Sequence, residues 1–152
     1  MLFKKVGILD PEGKYPNPLT GRPFTERYKH IAETGSPNVK GSNPGNGWAH
    51  STIYKDRNNF FKNAIENQVI IVVSGTGTGK TVMFPKLLSH YFDYKKSIII
   101  TMPTRKAVGG AATYAAMCMD VEYKKEVAMR TGEDDHEDDP ENTKLLYATD
   151  GF

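Results

Sequence analysis

The residues with the clearest chemical capacity are Lys80 and Thr81, which close the loop Ser74-Gly75-Thr76-Gly77-Thr78-Gly79. An ammonium group beside a hydroxyl, after three alternating glycines, suits a polyphosphate. The glycines let consecutive backbone N–H groups turn toward one anion, the lysine reaches the β- and γ-phosphates, and the hydroxyl can ligate Mg²⁺. The strict pattern has glycine at the first loop position, where this chain has the small Ser74, but the two glycines nearest the lysine are kept. Residues 74–81 are therefore the candidate nucleotide-binding set, for ATP or another NTP, with Thr81 as the candidate metal ligand. The competing reading is a glycine-rich turn that precedes Lys-Thr by coincidence.

Two elements must position such a loop. Val69 to Val73 is a five-residue apolar run, β-branched and bounded by glycines, which reads as a strand buried on both faces inside a parallel sheet. Thr81 to Tyr91 reads as the following helix, with its positive dipole end toward the phosphates. Pro85 sits near its start, where a missing N–H is tolerated because the first amides of a helix have no intrahelical acceptor. Before the strand, Asp56 is a candidate N-cap for a helix with Phe60, Phe61, Ala64 and Ile65 on one face.

A second strand is expected at Ser97 to Met102, so that one helix lies between two strands and the unit is βαβ, with a right-handed crossover. Residues 106–119 read as a helix despite Gly109 and Gly110, which cost about 1 kcal/mol each; close approach of a backbone or ligand and a simple helix break are both open there. Short strands follow at Glu126 to Arg130 and Thr143 to Thr149. Between them, Glu133 to Glu141 carries seven acidic residues without the ligand spacing of an EF-hand, and reads as a solvated surface loop.

The first 50 residues are rich in Pro, Gly, Asn and Thr, with a short helix expected near Thr25 to Glu33. This stretch is either a flexible arm or an extended segment docked through Leu19, Phe24, Tyr28 and Trp48. The net charge of +2 hides the acidic run: outside it stand 20 basic against 11 acidic side chains. That excess suits a polyanion such as nucleic acid as well as a merely solvated surface. Cys118 is the only cysteine, which excludes an intrachain disulfide and a Cys-rich zinc site. No signal peptide or membrane span is visible, and a soluble, intracellular protein is the expectation.

The order of these pieces carries a resemblance. The stretch from Ile53 to Leu88 is similar to the entry helix, Walker A strand, loop and helix of a DEAH/RHA-type superfamily 2 helicase. TMPTRKAV resembles its motif Ia and YATDGF its motif Ib, while DPEGKYPNPLTG resembles the leader of helicase-like proteins of large DNA viruses. The resemblance covers residues 53–152 and implies a partial RecA-like ATP-binding domain behind a loop-rich extension, residues 1–52. It implies Thr104 and Arg105 at motif Ia, and Thr149 and Asp150 at motif Ib, as contacts to a single nucleic-acid strand, RNA in preference to DNA. Such contacts position a strand without reading its sequence. Family members usually have Arg-Arg where this chain has Thr104-Arg105, and many carry Glu where it has Gly75.

The fold class implied is α/β, an incomplete RecA-like parallel sheet with flanking helices. No apolar strand runs into Asp-Glu, so no Walker B is visible, and the coupling motif and second RecA-like domain are also missing. Phosphoryl transfer needs metal, water and arginine placed together, so the chain alone is expected to be inactive, the first part of a longer helicase. The Walker A strand would then lack its sheet neighbours and leave roughly several hundred Å² of apolar surface open. Two alternatives stand beside this: a small nucleotide kinase using Lys80 with Arg105 or Arg130 as phosphate clamps, and a non-catalytic nucleotide- or nucleic-acid-binding piece.

Overall fold

The computed structural model describes residues 7–132 and 138–151. Three short parallel strands make its sheet: β1 (Ile98–Met102), β2 (Val127–Arg130) and β3 (Leu145–Thr149), in the order β1-β3-β2. The register runs from Ile98↔Leu145 to Met102↔Thr149 on one side of β3, and from Val127↔Leu145 to Arg130↔Ala148 on the other. Paired on both edges, β3 is buried from Leu145 to Ala148, which is why its sequence is continuously apolar rather than alternating.

Two helices lie against this sheet and against each other: α4 (Lys80–Tyr91) and α5 (Arg105–Met119). Helix α5 runs unbroken through Gly109 and Gly110. A Cβ at Gly110 would meet open space, and one at Gly109 would only touch the Met129 sulfur at 3.6 Å. Neither close approach of another backbone nor a break applies. Burial of Val108, Ala112, Ala115, Ala116 and Met119 outweighs the propensity loss.

The N-terminal stretch is docked and supplies much of the core. Helix α1 (Glu26–Thr34) is capped by Thr25, and Ile8, Leu9, Phe24, Tyr28 and Trp48 are all buried. With few apolar periods of its own, this stretch is fixed by specific polar contacts. The Asn17 amide donates to the carbonyls of Met119 (2.9 Å) and Asp120 (3.0 Å), the Tyr28 hydroxyl is bonded to those of Ile8 and Asp10, and Tyr114 donates to that of Gly35. Gly47 packs so tightly that a Cβ there would overlap the Ala32 carbonyl. Short α2 (Thr52–Lys55) and then α3 (Arg57–Glu66) follow. Asp56 precedes α3 as expected, but its carboxylate makes no capping bond to the helix backbone and instead accepts from the Asn59 side chain at 3.2 Å.

The Val69–Val73 run departs from expectation. Among the described residues it pairs with no strand. Its side chains alternate: Ile70 and Val72 are 37% and 42% exposed, turned into the groove lined by Phe60, Phe84 and Leu88, whereas Val69, Ile71 and Val73 are 79%, 86% and 94% exposed. The run is thus half seated, on the helix side only. The physical reason is that a strand needs a partner edge for its N–H and C=O groups, and none of the described strands lies next to it.

Lys86 of α4 is fully buried. Its ammonium donates to the Cys118 carbonyl at 2.7 Å and lies 3.2 Å from the Trp48 ring centroid, so indole face and helix C-terminus share the charge. Burial still drives its pKa well below the ordinary lysine value. Beside it the Cys118 thiol is pushed up to about 11, also by burial.

Candidate functional site: a phosphate loop at one end of the sheet

The loop Ser74–Gly79 leads into α4, and its geometry follows from its glycines. Gly77 and Gly79 sit at φ +79° and +82°, the left-handed region that side-chain-bearing residues rarely adopt. Those two residues turn the chain so that Gly79 becomes the N-cap of α4, with no side chain capping it. The first helical bonds run from the amides of Val82 and Met83 to the Gly79 carbonyl. Among the described residues, the amides of Gly77, Thr78, Gly79, Lys80 and Thr81 donate to no protein acceptor. Five free amides running into the start of a twelve-residue helix have the chemistry that suits an anion.

Lys80 spans this loop. Its ammonium donates to the carbonyls of Ser74 (2.8 Å) and Gly75 (2.6 Å) and lies 3.5 Å from the Thr78 hydroxyl oxygen. Thr78 donates to the Gly75 carbonyl at 3.0 Å and accepts from the Ser74 hydroxyl at 3.0 Å. The side chains of Ser74 and Thr78 thus hold the loop's shape, while Gly75, Thr76 and Gly77 remain exposed. Thr81, half buried, shares a cleft with Lys80 and with Thr101, Met102 and Pro103 at the end of β1. Unpaired amides, a cation held only by loop carbonyls and a nearby hydroxyl fit a nucleotide polyphosphate. For Mg²⁺ the fit is narrower: among the described residues there is no group of three or more His, Cys, Asp or Glu side chains that could hold a metal. Among the loop residues the Thr81 hydroxyl is the oxygen that would hold it, with the remaining positions falling to phosphate and water.

The other predicted residues gather at the same end of the sheet. Met102 pairs with Thr149, so the exits of β1 and β3 are adjacent, and Thr104-Arg105 and Thr149-Asp150 follow directly. Thr104 is the N-cap of α5, its hydroxyl accepting from the Ala107 amide at 3.3 Å. That oxygen keeps its proton free to donate. Arg105 and Asp150 are exposed, and Thr149 is half buried.

A family model described as an AAA domain matches residues 57–139, more than half of the sequence. The chain belongs to the AAA domain family. That places the loop in a family of P-loop NTPases, whose sites bind nucleotides. A protein of Acanthamoeba polyphaga mimivirus named "Putative ATP-dependent RNA helicase" is 32% identical over 149 residues, which is 97% of this AAA-family chain. The chain spans 19% of that protein's length. No helix among the described residues is long and apolar enough to cross a membrane.

Two sequence-based readings need correction here. Arg130, a candidate phosphate clamp, is engaged bidentately by Asp138, Nε to Oδ1 at 3.1 Å and Nη2 to Oδ2 at 2.6 Å. With its side chain 7% exposed, Asp138 is not part of a solvated run. Asp139 likewise staples a turn, accepting from the Glu141 and Asn142 amides and the Asn142 side chain; residues 133–137 lie outside the described residues. The second correction concerns Pro85. It is the sixth residue of α4, beyond the amides that lack intrahelical acceptors, so its missing N–H leaves the Thr81 carbonyl without its helical donor. The Tyr147 hydroxyl of β3 donates to that carbonyl at 2.9 Å. Tyr147 went unnoticed in the sequence, where an aromatic in an apolar strand signals only core.

Proposed function

We propose that the chain is the nucleotide-binding first part of an NTP-dependent, RNA-directed helicase. In it, residues 74–81 hold ATP phosphates with Mg²⁺ on Thr81, and Thr104, Arg105, Thr149 and Asp150 hold a single nucleic-acid strand. The observation that carries this is the common location of both sets. The Met102↔Thr149 pairing puts Thr104-Arg105 and Thr149-Asp150 on neighbouring strand exits, and the cleft at Lys80 and Thr81 runs along β1 as far as Pro103 at its carboxyl end, which supports this reading. Ligands of open parallel sheets bind outside the carboxyl ends of the strands. The mimivirus relative's name agrees with this assignment.

Within this reading each group has one task. The loop amides and the α4 terminus bind phosphate oxygens, and Lys80 exchanges the Ser74 and Gly75 carbonyls for them. The Thr104 hydroxyl proton and the Arg105 guanidinium suit backbone phosphates, while the Asp150 carboxylate suits a ribose 2′-hydroxyl, which favours RNA over DNA. Bound Mg²⁺ would supply charge neutralisation between phosphates. Turnover requires an activated water and an arginine that this sequence does not pair with the loop, so the chain by itself binds without hydrolysing. We place the boundary between arm and nucleotide domain near residue 52. The small-kinase alternative is disfavoured by the Arg130–Asp138 pair, which occupies one of its two clamps.

The test is nucleotide binding by the purified chain, read by a fluorescent ATP analogue with Mg²⁺. Saturable binding that Lys80→Ala removes, with RNA tightening it and no turnover, is the expected result. Equal binding by the Lys80→Ala chain would overturn the assignment.

A further inference from the structure

The Tyr147–Thr81 contact carries a consequence for the site. Pro85 cannot donate to the Thr81 carbonyl, so the α-helical bond that would fix the first turn of α4 from within is missing. The replacement donor comes from a different element. Tyr147 is fully buried, at the middle of the best-packed strand, and its hydroxyl reaches Thr81 at 2.9 Å. Thr81 is thereby held through its backbone: its carbonyl is fastened to β3, and the residue lines the cleft it shares with Lys80. Two residues beyond Tyr147 the same strand ends at Thr149, and Asp150 follows.

We propose that Tyr147 is a positioning residue of the nucleotide site. Its hydroxyl ties the first turn of α4 to β3, fixes Thr81 relative to the sheet, and makes one rigid piece of the phosphate site and the strand that leads into Thr149-Asp150. The inference rests on the nucleotide reading of the loop. A helix with an ordinary residue at position 85 would satisfy the Thr81 carbonyl internally and be free to shift against the sheet. With Pro85 the carbonyl is satisfied only while the helix is seated on β3.

Tyr147→Phe removes the hydroxyl and keeps the ring. Loss of one hydrogen bond of this kind corresponds to about a two- to tenfold weakening of binding for the Mg²⁺ complex of a fluorescent ATP analogue. The same analogue without Mg²⁺ should lose less, because the Thr81 hydroxyl then has no metal to hold. Pro85→Ala separates positioning from simple satisfaction of the carbonyl: it returns an N–H to the helix but makes no link to β3. In the Tyr147→Phe/Pro85→Ala chain the melting temperature should recover while the Mg²⁺-dependent affinity stays weak. Pro85→Ala alone, with the tether intact, should bind like the parent chain. Unchanged affinity in Tyr147→Phe, or affinity that returns together with stability in the double variant, overturns the proposal while leaving Lys80-dependent binding intact. If the parent chain shows no binding that Lys80→Ala removes, the nucleotide reading falls and takes this inference with it.

Discussion

Two five-residue apolar runs in this molecule have opposite fates. Leu145 to Thr149 is paired on both edges and buried as far as Ala148, and residues 69 to 73, more β-branched and hence the better strand by composition, are unpaired and largely exposed. The difference lies outside the runs themselves. β3 has β1 and β2 to receive its amides and carbonyls and α5 packed against it, while residues 69–73 have only the groove of Phe60, Phe84 and Leu88 under Ile70 and Val72. A strand is a property of its neighbours. The Ser74–Gly79 loop nonetheless has a defined shape, because it rests on its own glycines and hydroxyls and on an α4 held by packing and by Tyr147.

The largest contrast should appear in amide hydrogen exchange. The β3 amides should be protected about 10³-fold or more over those of residues 69–73, since only the former open through global unfolding. Comparable protection in both segments would mean that the run pairs in solution. Next in size, Leu145→Ala should cost about 2–5 kcal/mol in chemical denaturation, whereas Ile71→Ala should stay within about 0.5 kcal/mol. A large loss at Ile71 would show that its bare face is covered.

The packed half has its own weak point in Lys86. Its folded pKa is depressed, so between that value and the unfolded value of about 10.4 the unfolded chain binds more protons. Stability should therefore rise with pH across that window and be lowest below it. Lys86→Met should flatten this slope and raise stability near neutrality by about 1 kcal/mol or more, because a buried ammonium with no carboxylate partner among the described residues is replaced by an apolar side chain of similar length. Thermal melts of both chains from neutral to alkaline pH would show it. The smallest effect on stability is expected from Ile71→Lys and Val73→Lys, which should leave the melting temperature nearly unchanged yet slow concentration-dependent association in light scattering, as charge blunts an open strand edge.

Much of this was legible in the residues. The spacing of Gly77, Gly79, Lys80 and Thr81 defines an anion-binding helix start wherever the chain places it, because positive φ and a free N-terminus are local properties. The apolar runs at Ile98–Met102 and Leu145–Thr149 and the helix at 105–119 were likewise readable from period and length. The N-terminal stretch was not, because it is held by single long-range contacts, Asn17 on the end of α5 and Trp48 over Lys86, and these leave no periodic trace. Pro85 was visible as a proline, but its meaning depended on a hydroxyl 62 positions away.

The sequence by itself determined the glycine-set shape of the loop, the helices at 80–91 and 105–119, and which runs were candidates for strands, since these follow from short-range backbone preference and side-chain type. Only the tertiary structure decided which apolar run becomes a strand, which buried polar group finds a partner, and that Thr81 is held from β3. Those outcomes depend on what lies opposite each edge and each carbonyl, and a linear pattern does not contain that.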